Sequence, residues 1–244
     1  MDVDTSQRLI DLNRQFYQTF AQPFSITRQR LQPGVRRMLE SISLEASLLD
    51  LGCGNGELWR VLSARGQRGA YLGVDFSPEL LQAAEELANL GSNTSQASFL
   101  QIDMTRPDWA EAIAISAVDA ATAFAVMHHL PGVDRRVQFL RQARGLIAPH
   151  GRLYHSNWQF LNSERLRARI QPWEAIGLTQ DQVDAGDYLM DWRQGGYGLR
   201  YVHHFSQAEL NELAQASGFR TLETFYSDGE GGRLSIYQTW EPLE

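Results

Sequence analysis

Apolar residues recur along the chain at two alternating periods. Leu9, Leu12, Phe16 and Phe20 fall near helical spacing and predict a helix over 6–20 that Pro23 ends. Pro33-Gly34 opens a second helix whose apolar face is Val35, Met38, Leu39 and Ile42. Leu48-Leu49-Asp50-Leu51 then reads as a buried strand, and Leu58, Val61 and Leu62 return to helical spacing until Gly66. The rhythm repeats. Strands are predicted at 71–75, 99–103, 118–126 and 152–158. Between them lie a helix from the Ser77-Pro78 cap to Leu90, with Gly91 as its stop, and a helix over 134–148 followed by a Pro149-His150-Gly151 turn. The fourth strand is nearly continuous in small and apolar residues, as a strand covered on both faces should be.

Strand and helix in alternation predict a parallel sheet with helices on both faces, the α/β class. Residues 159–203 break the alternation: they are polar, carry Trp173 and Trp192, and contain Gly195-Gly196. They read as an insertion covering the active site. Ser206-Gln207-Ala208-Glu209 has the form of a capping box for a helix reaching Gly218, and two last strands near 220–226 and 234–240 make a hairpin. The division expected is a helical N-terminal lid over 1–45 and one domain over 46–244 that contains the insertion.

The first strand runs into Asp50-Leu51-Gly52-Cys53-Gly54-Asn55-Gly56. Glycines there let the backbone turn sharply and let a ligand approach where a Cβ would stand. In open α/β sheets ligands bind outside the carboxyl ends of the strands, so the cofactor belongs here. No Gly-Lys-Ser/Thr follows, which excludes a P-loop, and G-x-G-x-G is not the dinucleotide spacing G-x-G-x-x-G. The seven residues instead resemble the first motif of class I S-adenosylmethionine (AdoMet) methyltransferases. That resemblance implies a Rossmann-like seven-stranded sheet, mostly parallel with a C-terminal antiparallel hairpin, and AdoMet as cofactor with S-adenosylhomocysteine as product.

Chemistry is then expected at successive strand ends. Asp75 can accept from both ribose hydroxyls, with Phe76 beside it, and Asp103 from the adenine amino group, with Met104 on the ring. Gly52, Cys53 and Gly54 form the turn under the cofactor. Asp50 anchors that turn or the cofactor ammonium, and Phe124 and Ala125 line the methionine side. Met127-His128-His129-Leu130 follows the fourth strand, where the acceptor should sit; these histidines read either as acceptor contacts or bases, or as packing residues. Arg200, in Leu199-Arg200-Tyr201-Val202-His203-His204-Phe205, reads either as a fork for a carboxylate or phosphate or as part of an ordinary strand.

Composition narrows the rest. The chain has 244 residues, a net charge of −7, one cysteine and no lysine, so Schiff-base chemistry, a disulfide framework and a cysteine zinc cluster are excluded. No third ligand stands at metal spacing beside the histidine pair, and no metal is expected. No apolar run is long enough for a membrane helix, and the acidic start is unlike a secretory signal; a cytoplasmic enzyme is expected.

Three further segments carry a closer resemblance. Phe20-Ala21-Gln22-Pro23-Phe24-Ser25-Ile26-Thr27-Arg28, Val126-Met127-His128-His129-Leu130 with Arg135-Arg136, and Arg200-Tyr201-Val202-His203 with Glu209-Leu210 are similar, in order, to segments of the tRNA wobble-uridine carboxymethyl methyltransferases. Gln22 and Pro23 interrupt the first. The resemblance implies a tRNA carboxylate as acceptor, His129 and Arg200 as its contacts, and Tyr17 and Arg28 closing over the methionine carboxylate. Eukaryotic members use a small partner protein; nothing in this sequence speaks for or against one. The competing expectations are a small-molecule acid, hydroxyl or amine as acceptor, and a module that binds AdoMet without transferring methyl. An RNA acceptor predicts Arg28, Arg30, Arg36, Arg37, Arg135, Arg136 and Arg200 on one rim of the pocket.

Overall fold

The computed structural model describes residues 1–26, 30–89 and 97–243. Arg28 and the expected stop at Gly91 lie outside the described residues. In chain order the elements begin with α1 (Val3–Ile26), α2 (Pro33–Leu39), β1 (Leu48–Leu51), α3 (Glu57–Ala64), β2 (Tyr71–Asp75) and α4 (Pro78–Asn89). β3 (Ala97–Gln101), β4 (Val118–Phe124), α5 (Val133–Leu146) and β5 (Ile147–Trp158) complete the alternating part. The remainder is α6 (Glu164–Arg167), β6 (Ile170–Gln171), β7 (Asp187–Trp192), β8 (Gly198–His203), α7 (Gln207–Ala216), β9 (Phe219–Ser227) and β10 (Ser235–Pro242).

Seven strands form the main sheet in the order β3-β2-β1-β4-β5-β10-β9, with β10 antiparallel to both β5 and β9. The order reverses between β1 and β4, and the crevice at such a switch point is where open sheets bind ligands. Two apolar layers cover the sheet. One contains Leu49, Ala121, Phe139 and Leu213, and the other Leu39, Leu48, Trp59 and Tyr237.

Four sequence expectations are corrected. Pro23 does not end α1. The helix kinks at Phe20 (φ −114°, ψ 18°) and resumes. Pro23 falls in the first turn after the kink, where a missing N–H costs nothing. The Pro149-His150-Gly151 turn is instead an irregularity within β5, since Val118 pairs with Ile147 but Ala120 with Arg152. The insertion is not merely a polar cover: β6, β7 and β8 form an antiparallel sheet of their own. Its Leu189 and Tyr201 share a buried cluster with Leu9 of α1 and with Trp173. Lastly, only half of the capping box forms. Ser206 Oγ accepts the Glu209 amide (3.1 Å), while the Glu209 carboxylate turns to His203 and Arg136.

The start of α2 is pinned to the terminal hairpin. The Gly34 amide donates to Asp228 Oδ1 (3.0 Å), and Tyr237 Oη donates to Asp228 Oδ2 (2.5 Å). A Cβ on Gly34 would stand 2.2 Å from the Tyr237 ring, which is stacked on Phe225 (centroids 5.0 Å apart) and has no room to retreat. Gly34→Ala is therefore expected to lower the thermal midpoint by about 2–10 °C, the range for overpacking a core of this size. An unchanged melting curve would show that this contact yields.

Candidate functional site

The turn after β1 is built around two buried carboxylates. Asp50, inside β1, accepts from Tyr71 Oη of β2 and Thr122 Oγ1 of β4, both at 2.6 Å. Burial raises its carboxyl to about 6, against the pull of the two hydroxyls, and the charge of Asp75 adds to the rise. Asp75, at the end of β2, accepts the Gly54 amide on one oxygen and the Ser77 amide on the other, both at 3.0 Å. Burial raises Asp75 as well, opposed by the amides of Ser77, Gly54 and Phe76. The Gly52 and Cys53 amides both donate to the Val74 carbonyl, at 2.8 and 3.0 Å, which closes the turn.

The cavity beside this turn has a volume of about 290 Å³. Gly54 sits at φ +54° with nothing within 4 Å of where its Cβ would be, so this stretch of backbone lies open to a ligand. Ala125 has φ +59°, a conformation that costs a non-glycine residue about 1–2 kcal/mol. Its amide is held by the Ser156 carbonyl (3.0 Å) and hydroxyl (3.2 Å). Asp50, Gly52, Cys53, Gly54, Asp75, Phe76, Asp103, Met104, Phe124, Ala125, Tyr17 and His129 of the sequence-derived set all line this cavity. The Cys53 thiol is pushed well above its ordinary value by burial and by the charges of Asp50 and Asp75, which disfavours its thiolate.

Two of the expected acceptor contacts are not on the wall. His128 is buried behind His129, the ring centroids 4.2 Å apart. Arg200 is 6% exposed and stands among three aromatic rings, its Cζ 5.3 Å from Phe16, 5.1 Å from Trp158 and 5.6 Å from Trp192. No carboxylate among the described residues pairs with it, and its buried Nε has no hydrogen-bond partner among them. His129 does reach the cavity: Tyr17 Oη lies 2.7 Å from its Nε2.

Among the described residues the arginine rim does not form. Arg136 and Arg200 are buried, Arg37 pairs with Glu223 and lies over Phe225, and Arg36 donates to the Leu31 carbonyl. Arg135 is spent on Ser6, Thr105 and Gln7. Of the seven, Arg30 lines the cavity and Arg28 lies outside the described residues.

Sequence reasoning named Tyr17 but missed the rest of its face of α1. Ile10, Asn13 and Arg14 line the cavity with it, a stripe at i, i+3, i+4 and i+7. Arg14 pairs with Asp103 Oδ2 at 2.8 Å, while Thr105 donates to Oδ1 through its amide (3.0 Å) and hydroxyl (2.6 Å). The signal was present in the polar residues of this stripe, but the apolar stripe beside it drew the reading. Among the described residues no cluster of histidines, cysteines and carboxylates could hold a metal, and no helix is long and apolar enough to cross a membrane.

The elevated Asp50 carboxyl has a consequence for stability. The folded chain holds a proton between the ordinary value of 3.8 and about 6 that the unfolded chain has released. Stability should therefore fall as pH rises through about 4 to 7, by about 3 kcal/mol from this group. Denaturant midpoints across that range are expected to lose this decline in Asp50→Asn; a slope equal to wild type would assign the titration to another group.

Comparison with known proteins is consistent with this geometry. The family described as a methyltransferase domain matches residues 49–153. A tRNA (carboxymethyluridine(34)-5-O)-methyltransferase of Schizosaccharomyces pombe is 25% identical over 224 residues, covering 87% of this chain and 90% of that protein. The mouse protein of the same description is 25% identical over 168 residues, 64% of this chain but 22% of its own length. Among solved structures, a SAM-dependent methyltransferase from Methanosarcina mazei superposes with a TM-score of 0.66 at 20% identity, covering 87% of this chain and 98% of that one. The chain is an AdoMet-dependent methyltransferase, similar along most of its length to the tRNA carboxymethyluridine methyltransferases.

Proposed function

We propose that this enzyme esterifies a carboxylate, the 5-carboxymethyl group of a tRNA wobble uridine. The observation that carries the reading is Arg200, a guanidinium buried among aromatic rings with no carboxylate among the described residues to neutralise it. Aromatic faces attract a cation without occupying its N–H donors, so the fork stays available to an anion. A carboxylate is already ionised at neutral pH and requires no general base to attack. The similarity to the Schizosaccharomyces pombe enzyme over nearly its whole length supports the same acceptor. Its chamber, on this reading, is the space behind the Tyr17–His129 pair, with Arg200 one ring further in.

The cofactor side follows from the cavity. When bound, AdoMet supplies an electrophilic methyl group on a sulfonium, and the residues do the positioning. Both Asp75 oxygens accept backbone amides, and their remaining lone pairs are left for the ribose hydroxyls. Asp103, steadied by Arg14, faces the adenine amino group, with Phe76 and Met104 packing on the ring. Asp50 balances the cofactor ammonium, Phe124 and Ala125 contact the methionine chain, and Tyr17 covers its carboxylate. Residues 1–45 act as a lid over this site, and residues 159–203 close the acceptor side.

A second reading has one observation in its favour. Among the described residues the arginines are scattered and offer no track for a phosphate backbone, which suits a small carboxylic acid as acceptor. Mass spectrometry of nucleosides from tRNA bearing 5-carboxymethyluridine, incubated with the enzyme and labelled AdoMet, separates the two. A labelled methyl ester is the expected product; label in no nucleoside moves the acceptor to a small acid. Arg200→Gln should lower transfer by about 10–150-fold, the worth of a hydrogen bond to a charged group, with AdoMet affinity unchanged in calorimetry. Equal transfer would remove Arg200 from the acceptor site. Asp75→Ala should weaken AdoMet binding by about 1–3 kcal/mol, and unchanged affinity would refute the ribose assignment.

A further inference from the structure

Two of the segments at the acceptor side meet in one buried cluster away from the cavity. Arg136, 1% exposed, follows the His128-His129 turn in the chain; Tyr201, His203 and Glu209 follow Arg200. The Arg136 guanidinium donates to Tyr201 Oη (2.9 Å) and lies 3.4 Å from Asp187 Oδ1 and 3.3 Å from Glu209 Oε1. Tyr201 Oη donates to Asp187 Oδ1 at 2.7 Å. His203 faces Asp187 through Nδ1 (2.6 Å) and Glu209 through Nε2 (2.8 Å). Both ring nitrogens of His203 thus meet carboxylate oxygens, and the Arg136 guanidinium stands against the same two side chains. Breaking such a buried set by removing one member leaves an uncompensated charge, so its geometry is held stiffly.

The cluster has two outlets toward the site. Arg136 Nε donates to the Leu130 carbonyl (2.9 Å), which fixes the end of the turn that carries His129. Tyr201 is the second. Its side chain is locked in the cluster, and its backbone is gripped by Asn13 of α1, which accepts its N–H (2.8 Å) and donates to its carbonyl (3.1 Å). That same carbonyl stands 3.4 Å from His129 Nδ1. A carbonyl only accepts, so Nδ1 bears the proton, and Nε2 presents a lone pair to the Tyr17 hydroxyl.

We infer that Arg136 and Tyr201 are positioning residues: through the Leu130 and Tyr201 carbonyls, the cluster holds His129 in one tautomer and one orientation at the cavity wall. This rests on the reading of His129 as an acceptor-side residue. It assigns a task to Tyr201, His203, Glu209, Asp187 and Arg136 that contact with acceptor or cofactor would not, since among the described residues Asp187 and Tyr201 are sealed from the cavity. It also gives a physical reason for the two segments to occur together in one chain.

The test uses the full chain labelled with nitrogen-15 in its 6 histidines, with His129→Gln assigning the signal of interest. Long-range nitrogen–proton spectra should show His129 in wild type as a single species protonated at Nδ1. Tyr201→Phe deletes one hydroxyl and keeps the ring, and is expected to fold; its His129 signal should become an average of the two tautomers. Its kcat for methyl transfer should fall about 10–100-fold, as for a displaced reacting partner, with AdoMet affinity and the KM for tRNA near wild type. Arg136→Lys should restore more of the wild-type spectrum than Arg136→Met. A Tyr201→Phe spectrum identical to wild type overturns the inference. The spectra read the ring itself, so they decide the matter even where tRNA proves not to be the acceptor and the kinetic arm is silent.

Discussion

Two carboxylates buried side by side, one inside β1 and one at the end of β2, constrain everything around them. Neither has a cation against it among the described residues. Asp50 is satisfied by hydroxyls from β2 and β4, which ties together the three strands that flank the switch point. Asp75 is satisfied by amides from the glycine turn and from the start of α4, which requires the turn to fold back toward β2. Gly54 at φ +54° is the residue that permits this. The cost is visible in both carboxyls, which burial pushes upward. A site that holds anionic groups at this cost is prepared for a ligand that brings hydroxyl donors and positive charge, and a ribose with a sulfonium and an ammonium brings both.

This constraint explains what was legible in the sequence. Strand, acid, glycine turn and helix are consecutive, so Asp50, Gly52, Gly54 and Asp75 could be placed from local pattern alone, and the cavity gathers all of them. Residues that act across the fold left weaker marks. Arg14 meets Asp103 only because α1 lies along the strand ends, a fact of packing that no local spacing encodes. The insertion looked polar because its apolar residues alternate with charged ones along short strands; once β7 and β8 pair, Leu189 and Tyr201 fall on one buried face with Leu9. Pro23 misled for the opposite reason. Its local rule is sound, but a kink at Phe20 had already restarted the helix, so the missing N–H fell where none is needed.

Arginine shows where composition misleads. With no lysine in the chain, arginine must serve every role a cation can play. Arg136 balances a buried cluster, Arg37 covers an aromatic ring beside Glu223, Arg14 holds Asp103, and Arg200 lies among rings. Clustering in sequence therefore signals several unrelated tasks, and a count of arginines near a motif predicts no nucleic-acid track.

The two sides of the site are joined by α1. One of its faces, at Ile10, Asn13, Arg14 and Tyr17, borders the cavity, while Leu9 and Phe16 pack against the residues of the insertion. Asn13 reaches the Tyr201 backbone and Tyr17 reaches His129, from adjacent turns of the same helix. Moving α1 outward to admit cofactor would break the Arg14–Asp103 pair and the Tyr17–His129 contact together, and would draw Phe16 away from Arg200. On the proposed reading, the acceptor side is complete only when the helix has closed on the cofactor. Alignment of donor and acceptor is the main requirement of methyl transfer from a sulfonium, and a single rigid helix that seats both meets it without any further moving part.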